Sequence, residues 1–188
     1  MIIRLFKDLF LKDKDQNHFK FKKSDQKKII ILIAPTWGTD FFDQNMHLII
    51  RANLNFSKYD LFIRPHIMSI LQNKNLCSDL VEQKFQLSTG KIDFNQFDIL
   101  ITDWSGIYIE FAKINKTKSI LIQNKEKILN DKYIKSKNES IDSYARKKLG
   151  IVVMPNELNS IENKVKDILV NQEQFVDEID VFFKKYFY

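Results

Sequence analysis

Short runs of apolar, mostly β-branched residues alternate along this chain with longer stretches that have helical spacing. Continuous apolar runs are typical of strands that are buried on both faces of a parallel sheet. Their alternation with helices predicts an α/β fold, in which a doubly wound, mainly parallel sheet is flanked by helices. The six predicted strands are residues 29–34, 61–64, 84–87, 97–102, 119–122 and 150–154.

Helical spacing is clearest where an apolar residue recurs every three or four positions. The predicted helices are residues 43–55, 66–72, 106–114, 157–169 and 173–186. Residues 125–148 form a polar insertion, rich in Lys and Asn, in which we expect some helix. The last helix carries several aromatic residues, which we interpret as core packing, with a partner interface as the alternative.

The first 28 residues differ from the rest of the chain in charge. They hold nine Lys or Arg and four Asp, a net charge of +5, whereas the remainder carries +1. We predict a basic amphipathic arm at residues 1–28 and one folded domain at residues 29–188. The arm is either simply solvated or attracted to an anionic membrane surface. Because the folded part has no basic stripe, we expect no nucleic-acid partner.

Composition narrows the class of protein further. The single cysteine, Cys77, excludes an intramolecular disulfide framework and suits a reducing compartment. No apolar run reaches the roughly 18 residues that a membrane-spanning helix needs. We therefore expect a cytoplasmic protein, with peripheral attachment to the cytoplasmic face of the inner membrane left open. The histidines and Cys77 lack metal-ligand spacing and no glycine-rich phosphate loop is present, so we expect neither metal nor cofactor.

Three predicted strands end in residues that are suited to binding or catalysis. In a doubly wound sheet, ligands bind at the carboxyl ends of the strands. These ends therefore predict one shared site. The three segments are Ala34-Pro35-Thr36-Trp37-Gly38, Arg64-Pro65-His66 and Thr102-Asp103-Trp104-Ser105-Gly106.

The third segment is a strand-to-helix turn that favours an anion. Ser105 can cap the following helix, whose first amides and partial positive charge suit a phosphate. Ordinary helix capping is the alternative explanation. His66, next to Arg64 in the second segment, can contact a diphosphate and protonate a leaving phosphate. A structural histidine at a strand end is the alternative there.

The sequence resembles a known family at several points. Residues 97–112, FDILITDWSGIYIEFA, resemble the D-hydrophobic-TDYSS-x-x-x-D-F-A segment of the CDP-glycerol glycerophosphotransferases, which build teichoic-acid-like polyol-phosphate chains and related capsule polymers. Residues 31–37, ILIAPTW, are similar to the family's ILYAPTWR strand, and residues 63–66, IRPH, to its lRxHP strand end. Residues 149–158 resemble its closing stretch. The resemblance covers roughly residues 29–170.

The resemblance implies a fold and a set of site residues. The fold is the Rossmann-like, donor-binding C-terminal lobe of the GT-B architecture. In the implied site, helix-start amides bind the CDP diphosphate and a histidine assists the leaving group. The implied catalytic residues are His66 and Asp103, and the implied donor-binding residues are Arg64, Ser105, Gly106, Ile107, Glu110 and Thr36.

The resemblance also implies a reaction, with some departures from the family pattern. A polyol phosphate, or a sugar, would move from CDP-glycerol or a related nucleotide diphosphate to a cell-surface polymer. Gly106 replaces the second Ser of the motif, Ile67 the Pro after the His, and Glu110 an Asp. Because only about 28 residues precede the match, we expect the acceptor-binding lobe to come from a second lobe or chain. The alternative is a non-catalytic nucleotide-binding or interaction remnant of such a transferase.

Overall fold

The structure is a computed structural model that describes residues 28–125 and 141–187. Six parallel strands form one sheet in the order β3-β2-β1-β4-β5-β6. The chain moves outward from β1 to β3, returns to the middle at β4 and moves outward again to β6. This order confirms the predicted α/β, doubly wound, Rossmann-like fold. The strands are β1 (Ile29–Ile33), β2 (Tyr59–Ile63), β3 (Gln86–Leu87), β4 (Ile99–Thr102), β5 (Ser119–Ile122) and β6 (Gly150–Val153).

Helices connect these strands, largely where helical spacing predicted them. The sequence did not predict α3, a short helix in which only two of seven residues are buried, so its apolar pattern is weak. The predicted helix at residues 157–169 begins instead with a 3-10 turn, Pro155–Ser160. The helices are α1 (Met46–Ala52), α2 (Ile67–Gln72), α3 (Leu76–Glu82), α4 (Ile107–Asn115), α5 (Ile141–Leu149), α6 (Ile161–Val170) and α7 (Gln172–Phe187).

The core lies around the central strands. All four residues of β4 and all four of β5 are buried, as expected for strands that are covered on both faces. Burial alternates along β2, which is nearer the sheet edge. Its half-buried Phe62 packs edge-to-face on Phe97, with ring centroids 5.6 Å apart.

The C-terminal helix α7 packs its aromatic face into the molecule. Phe175, Ile179, Phe182 and Phe183 are buried, at a spacing that places them on one side of a helix. Phe182 stacks on Tyr144 of α5, with ring centroids 6.2 Å apart. This confirms the interpretation of the aromatic residues as core packing.

The sheet order predicts a crevice between β1 and β4. These strands are neighbours, although β2 and β3 separate them in the chain, so the connections that follow them diverge at their carboxyl ends. We call residues 34–39 the β1 loop and residues 103–106 the β4 loop. Both loops begin at this crevice.

Some sequence predictions fall on residues that the structure does not describe. The predicted arm, apart from Lys28, is one of them, and residues 126–140 of the polar insertion are another. In the two described ranges, none of the helices combines the length and the hydropathy that crossing a membrane would require.

Candidate functional site

Asp103 links the two loops at the crevice. Its Oδ1 accepts a hydrogen bond from the Thr36 backbone N–H at 2.7 Å, and its Oδ2 accepts one from the Thr39 hydroxyl at 2.8 Å. The Asn124 side-chain amide, just after β5, lies 3.4 Å from the same Oδ2. The preceding residue adds a parallel link, because the Thr102 hydroxyl donates to the Ala34 carbonyl oxygen at 2.6 Å. The ends of β1, β4 and β5 are thereby tied together.

The environment of Asp103 favours a positioning role. The residue has no exposed surface, and burial raises the pKa of its carboxyl group, while the hydrogen bonds that it accepts oppose that rise. Both of its carboxylate oxygens accept hydrogen bonds from protein groups. Asp103 therefore affects the site by holding Thr36 and the β4 loop in position. The prediction that Asp103 takes part in catalysis stays a prediction.

His66 is the N-cap residue of α2. Its Nδ1 accepts a hydrogen bond from the Met68 backbone N–H at 3.1 Å. Its ring stacks on Trp37 of the β1 loop, with centroids 6.1 Å apart and the planes 27° from parallel. Because Nδ1 is an acceptor, the proton of the neutral ring is on Nε2. The imidazole can therefore offer an Nε2–H donor to a ligand.

Arg64 forms hydrogen bonds with the backbone of the loop that follows β3. Its guanidinium donates to the Gly90 carbonyl oxygen at 2.7 Å and approaches the Ser88 carbonyl oxygen at 3.4 Å. Gly90 has a φ of 72°, a backbone conformation that favours glycine. Arg64 thus holds a turn at the carboxyl edge of the sheet, and its predicted contact with a diphosphate stays a prediction.

The start of α4 presents backbone amides at the crevice. The predicted cap by Ser105 is wrong: the N-cap is Gly106, whose φ of −68° and ψ of −3° are already helical. Gly106 has no side chain with which to satisfy the first amides, and these amides have no acceptor within the helix. A Cβ added at Gly106 would have no heavy atom within 4 Å, so the space beside this helix start is open.

Glu110 lies in the first turn of α4 and is half-buried. Burial raises the pKa of its carboxyl group. A carboxylate in this turn interacts favourably with the helix dipole, which offsets part of the cost of burial. Ile107, the first residue of α4, is also half-buried. Its predicted contribution, like that of Ser105, is a backbone amide.

Arg146 of α5 belongs to this site and was missed by sequence reasoning. It is 3% exposed, and its guanidinium donates to the Asp103 carbonyl oxygen. It also approaches the Ile122 carbonyl oxygen and Gln123 Oε1, each at 3.4 Å. Its Cζ lies 4.3 Å from the ring centroid of Trp104. The only available signal was that Arg146 is the one Arg among the lysines of residues 125–148.

The three predicted segments lie together in the structure. Thr36 of the β1 loop contacts Asp103 of the β4 loop, and Trp37 of the β1 loop contacts His66. Helix-start amides and an imidazole N–H are donors that suit a phosphate or diphosphate. Within the described residues, no group of three His, Cys, Asp or Glu side chains could hold a metal ion.

Comparison with known proteins identifies the family. A sequence search of curated proteins finds no match to this chain. The family model described as CDP-glycerol:poly(glycerophosphate) glycerophosphotransferase matches residues 11–188. The match spans almost the whole chain and includes all three segments of the crevice. The chain therefore belongs to the CDP-glycerol:poly(glycerophosphate) glycerophosphotransferase family, a family of transferases.

Proposed function

We propose that this domain binds a nucleotide diphosphate donor, CDP-glycerol or a close relative, in the crevice between the β1 loop and the β4 loop. The observation that carries the proposal is the start of α4, where backbone amides without helical acceptors meet open space beside Gly106. A helix start of this kind attracts a diphosphate through its N–H groups and its partial positive charge. Membership of the transferase family supports the same reading.

In this proposal, His66 stabilises the leaving nucleotide. The acceptor hydroxyl oxygen bonds to the phosphorus of the glycerophosphoryl group, and the bond from that phosphorus to the bridging oxygen breaks. The nucleotide monophosphate leaves with the electron pair on that oxygen. Because Nδ1 of His66 accepts from Met68, the ring meets this developing charge as an Nε2–H donor. An additional proton on Nδ1 would require loss of the Met68 contact.

The acceptor and the second half of the cleft are also part of the proposal. By likeness to the family, the acceptor is a teichoic-acid-like or capsule polymer, and its hydroxyl proton passes to a base on a second lobe or chain. The reaction would take place in the cytoplasm, at the cytoplasmic face of the inner membrane. We propose that the domain described here supplies only the donor side.

A non-catalytic nucleotide-binding module is the second candidate. The observation that favours it is that two predicted site residues are engaged within the protein. The Asp103 carboxylate is directed at Thr36 and Thr39, and the Arg64 guanidinium at the turn containing Gly90. Such a module would bind the donor without promoting transfer.

The first experiment measures stabilisation by ligand. At about 100 times its dissociation constant, a ligand that binds only the folded state adds roughly 2.7 kcal/mol to the free energy of unfolding. We expect CDP-glycerol and CDP to raise the melting temperature and inorganic phosphate to have little effect. The proposal fails if no pyrimidine diphosphate shifts the transition at millimolar concentration.

Gly106→Ala is a matched variant for this test. The φ of Gly106 is suited to Ala and its Cβ would meet no neighbour. The lower entropy of Ala in the unfolded chain offsets its weaker capping, so we expect nearly unchanged stability. The added methyl group would occupy the space through which a phosphate approaches the amides. We therefore expect weaker CDP binding at equal stability, and unchanged binding would place the diphosphate elsewhere.

A further inference from the structure

We propose that Arg146 is a positioning residue that sets the orientation of the β4 loop and, through it, the amides at the start of α4. The inference rests on the proposed donor site and adds to it a residue of α5, from outside the three strand-end segments. Arg146 is almost fully buried beneath the loop, so it acts on the ligand through the backbone and not by direct contact.

Arg146 restrains the peptide unit between Asp103 and Trp104. The Arg146 guanidinium holds the Asp103 carbonyl oxygen. In a trans peptide, the C=O and the following N–H point in opposite directions. The Trp104 N–H is therefore turned away from Arg146. Thr36 and Thr39 hold the carboxylate of Asp103, so this residue is fixed through its carbonyl group and through its side chain.

Arg146 also restrains the side chain of Trp104. The Arg146 guanidinium lies over its ring, with Cζ 4.3 Å from the centroid, and the indole N–H donates to the Asn124 carbonyl oxygen at 3.0 Å. The residue that precedes Ser105 is thus fixed in its side chain as well as its backbone. A planar guanidinium can stack and donate in its own plane at the same time, whereas a Lys ammonium group cannot.

Together, these contacts preorganise the anion site. Arg146 also approaches the Ile122 carbonyl oxygen at 3.4 Å, so it joins α5, the end of β5 and the β4 loop. The amides of Ser105, Gly106 and Ile107 follow a peptide unit that cannot rotate freely. Donors that are already oriented bind an anion without a further loss of loop entropy. Burial of an arginine is unfavourable unless its donors are satisfied, and the β4 loop supplies one of the acceptors.

The test compares two variants of the full chain. Arg146→Lys keeps the positive charge but loses the planar guanidinium that stacks on Trp104 while donating to Asp103. We expect the affinity of this variant for CDP to fall at least about tenfold, as when a charge-assisted hydrogen bond is lost. Leu149→Val, at a fully buried position of the same helix, destabilises the core and should leave CDP affinity within about twofold of wild type. The proposal is overturned if R146K binds CDP like wild type, or if L149V loses affinity equally.

A second measurement separates this inference from the proposed function. Trp37 and Trp104 are the only tryptophans of the chain, so in a Trp37→Phe background the emission reports on Trp104 alone. Adding Arg146→Lys should shift that emission to the red and increase its quenching by acrylamide, with or without ligand. If wild type binds no pyrimidine nucleotide, the proposed donor site fails, and the Trp104 signal still decides the role of Arg146. An unchanged signal, or a variant that does not fold, overturns the positioning role.

Discussion

His66 combines a structural contact and a proposed chemical one in a single imidazole ring. None of the six residues of α2 is buried, so the start of this helix depends strongly on the cap that Nδ1 provides. The opposite nitrogen, Nε2, is the donor that the proposed reaction uses. A substitution at this position therefore has two effects that must be separated.

We expect His66→Ala to lose both functions and His66→Asn to lose only the second. An Asn side chain can accept the Met68 N–H, so H66N should keep the stability that H66A loses, about 1 kcal/mol. Both variants should transfer about 10²–10³-fold more slowly, the loss typical when one hydrogen-bond donor to a developing negative charge is removed. Nucleotide release in the presence of the lobe or chain that supplies the acceptor side measures transfer, and denaturant unfolding measures stability. Wild-type transfer by H66N would make the histidine a helix cap only.

His47 makes stability depend on pH. It is buried among Phe41, Phe42 and Phe85, with Nε2 3.2 Å from Gln83 Oε1, and burial lowers the pKa of its imidazole. The unfolded chain therefore binds a proton at a higher pH than the folded chain does. The contribution of His47 to the free energy of unfolding should be constant above about pH 6.5, which is the ordinary pKa of histidine. It should decrease as the pH falls below that value.

The measurement compares wild type with His47→Leu by urea unfolding between about pH 7 and about pH 5.5. We expect the free energy of unfolding of wild type to fall relative to that of H47L across this window. Asp103 and Glu110, whose carboxyl pKa values are raised by burial, act in the opposite direction and are present in both proteins. Parallel pH profiles for the two proteins would contradict the prediction.

At the scale of elements, α7 closes the domain by packing apolar side chains. Phe182 is buried and lies within 5.5 Å, centroid to centroid, of Phe183 and Tyr186. Val181, its neighbour in the chain, is 66% exposed. Two adjacent positions of one helix thus lie on opposite sides of the boundary between core and solvent.

This contrast predicts the cost of truncation at each position. Phe182→Ala should lower the free energy of unfolding by about 3–5 kcal/mol, because it removes a buried ring and leaves a cavity. Val181→Ala should change it by less than about 0.5 kcal/mol. Denaturant unfolding of both variants tests the prediction. Similar losses at the two positions would contradict the prediction.

At the scale of the whole molecule, the basic character of the sequence is concentrated in residues 1–28. The described part begins at Lys28, which forms an exposed ion pair with Asp60 at 3.1 Å, and β1 follows at once. Removal of residues 1–27 therefore deletes no residue of a described strand or helix. The predicted membrane attachment of the arm can be tested independently of the donor site.

We expect removal of residues 1–27 to abolish co-sedimentation with anionic vesicles at low salt. Each basic residue near such a surface contributes about 1 kcal/mol, and salt screens the attraction. The melting temperature and CDP binding should be unchanged, and zwitterionic vesicles serve as the control. Equal sedimentation of the shortened chain would assign membrane binding to the domain itself.

Local sequence patterns determined most of the fold of this protein. Apolar runs located all six strands, although β3 is only two residues long, and helical spacing located the helices with the largest apolar faces. The strand ends identified Thr36, His66 and Asp103 as neighbours in one crevice, and the motif around Asp103 indicated the family. These inferences succeed because burial on a sheet or helix imposes a periodicity that a short window of sequence reveals.

Only the tertiary structure decided how the polar groups of the site are paired. The Asp103 carboxylate accepts a hydrogen bond from the backbone N–H of Thr36, which is 67 residues away in the sequence. The Asp103 carbonyl oxygen accepts one from the guanidinium of Arg146, which is 43 residues away. Seen in sequence, Arg146 is one more cation in a polar segment. Its partners follow from which strand ends are adjacent, and that adjacency is set by the packing of the whole sheet. Hydrophobic periodicity is local, whereas the partner of a buried polar group depends on the order of the strands.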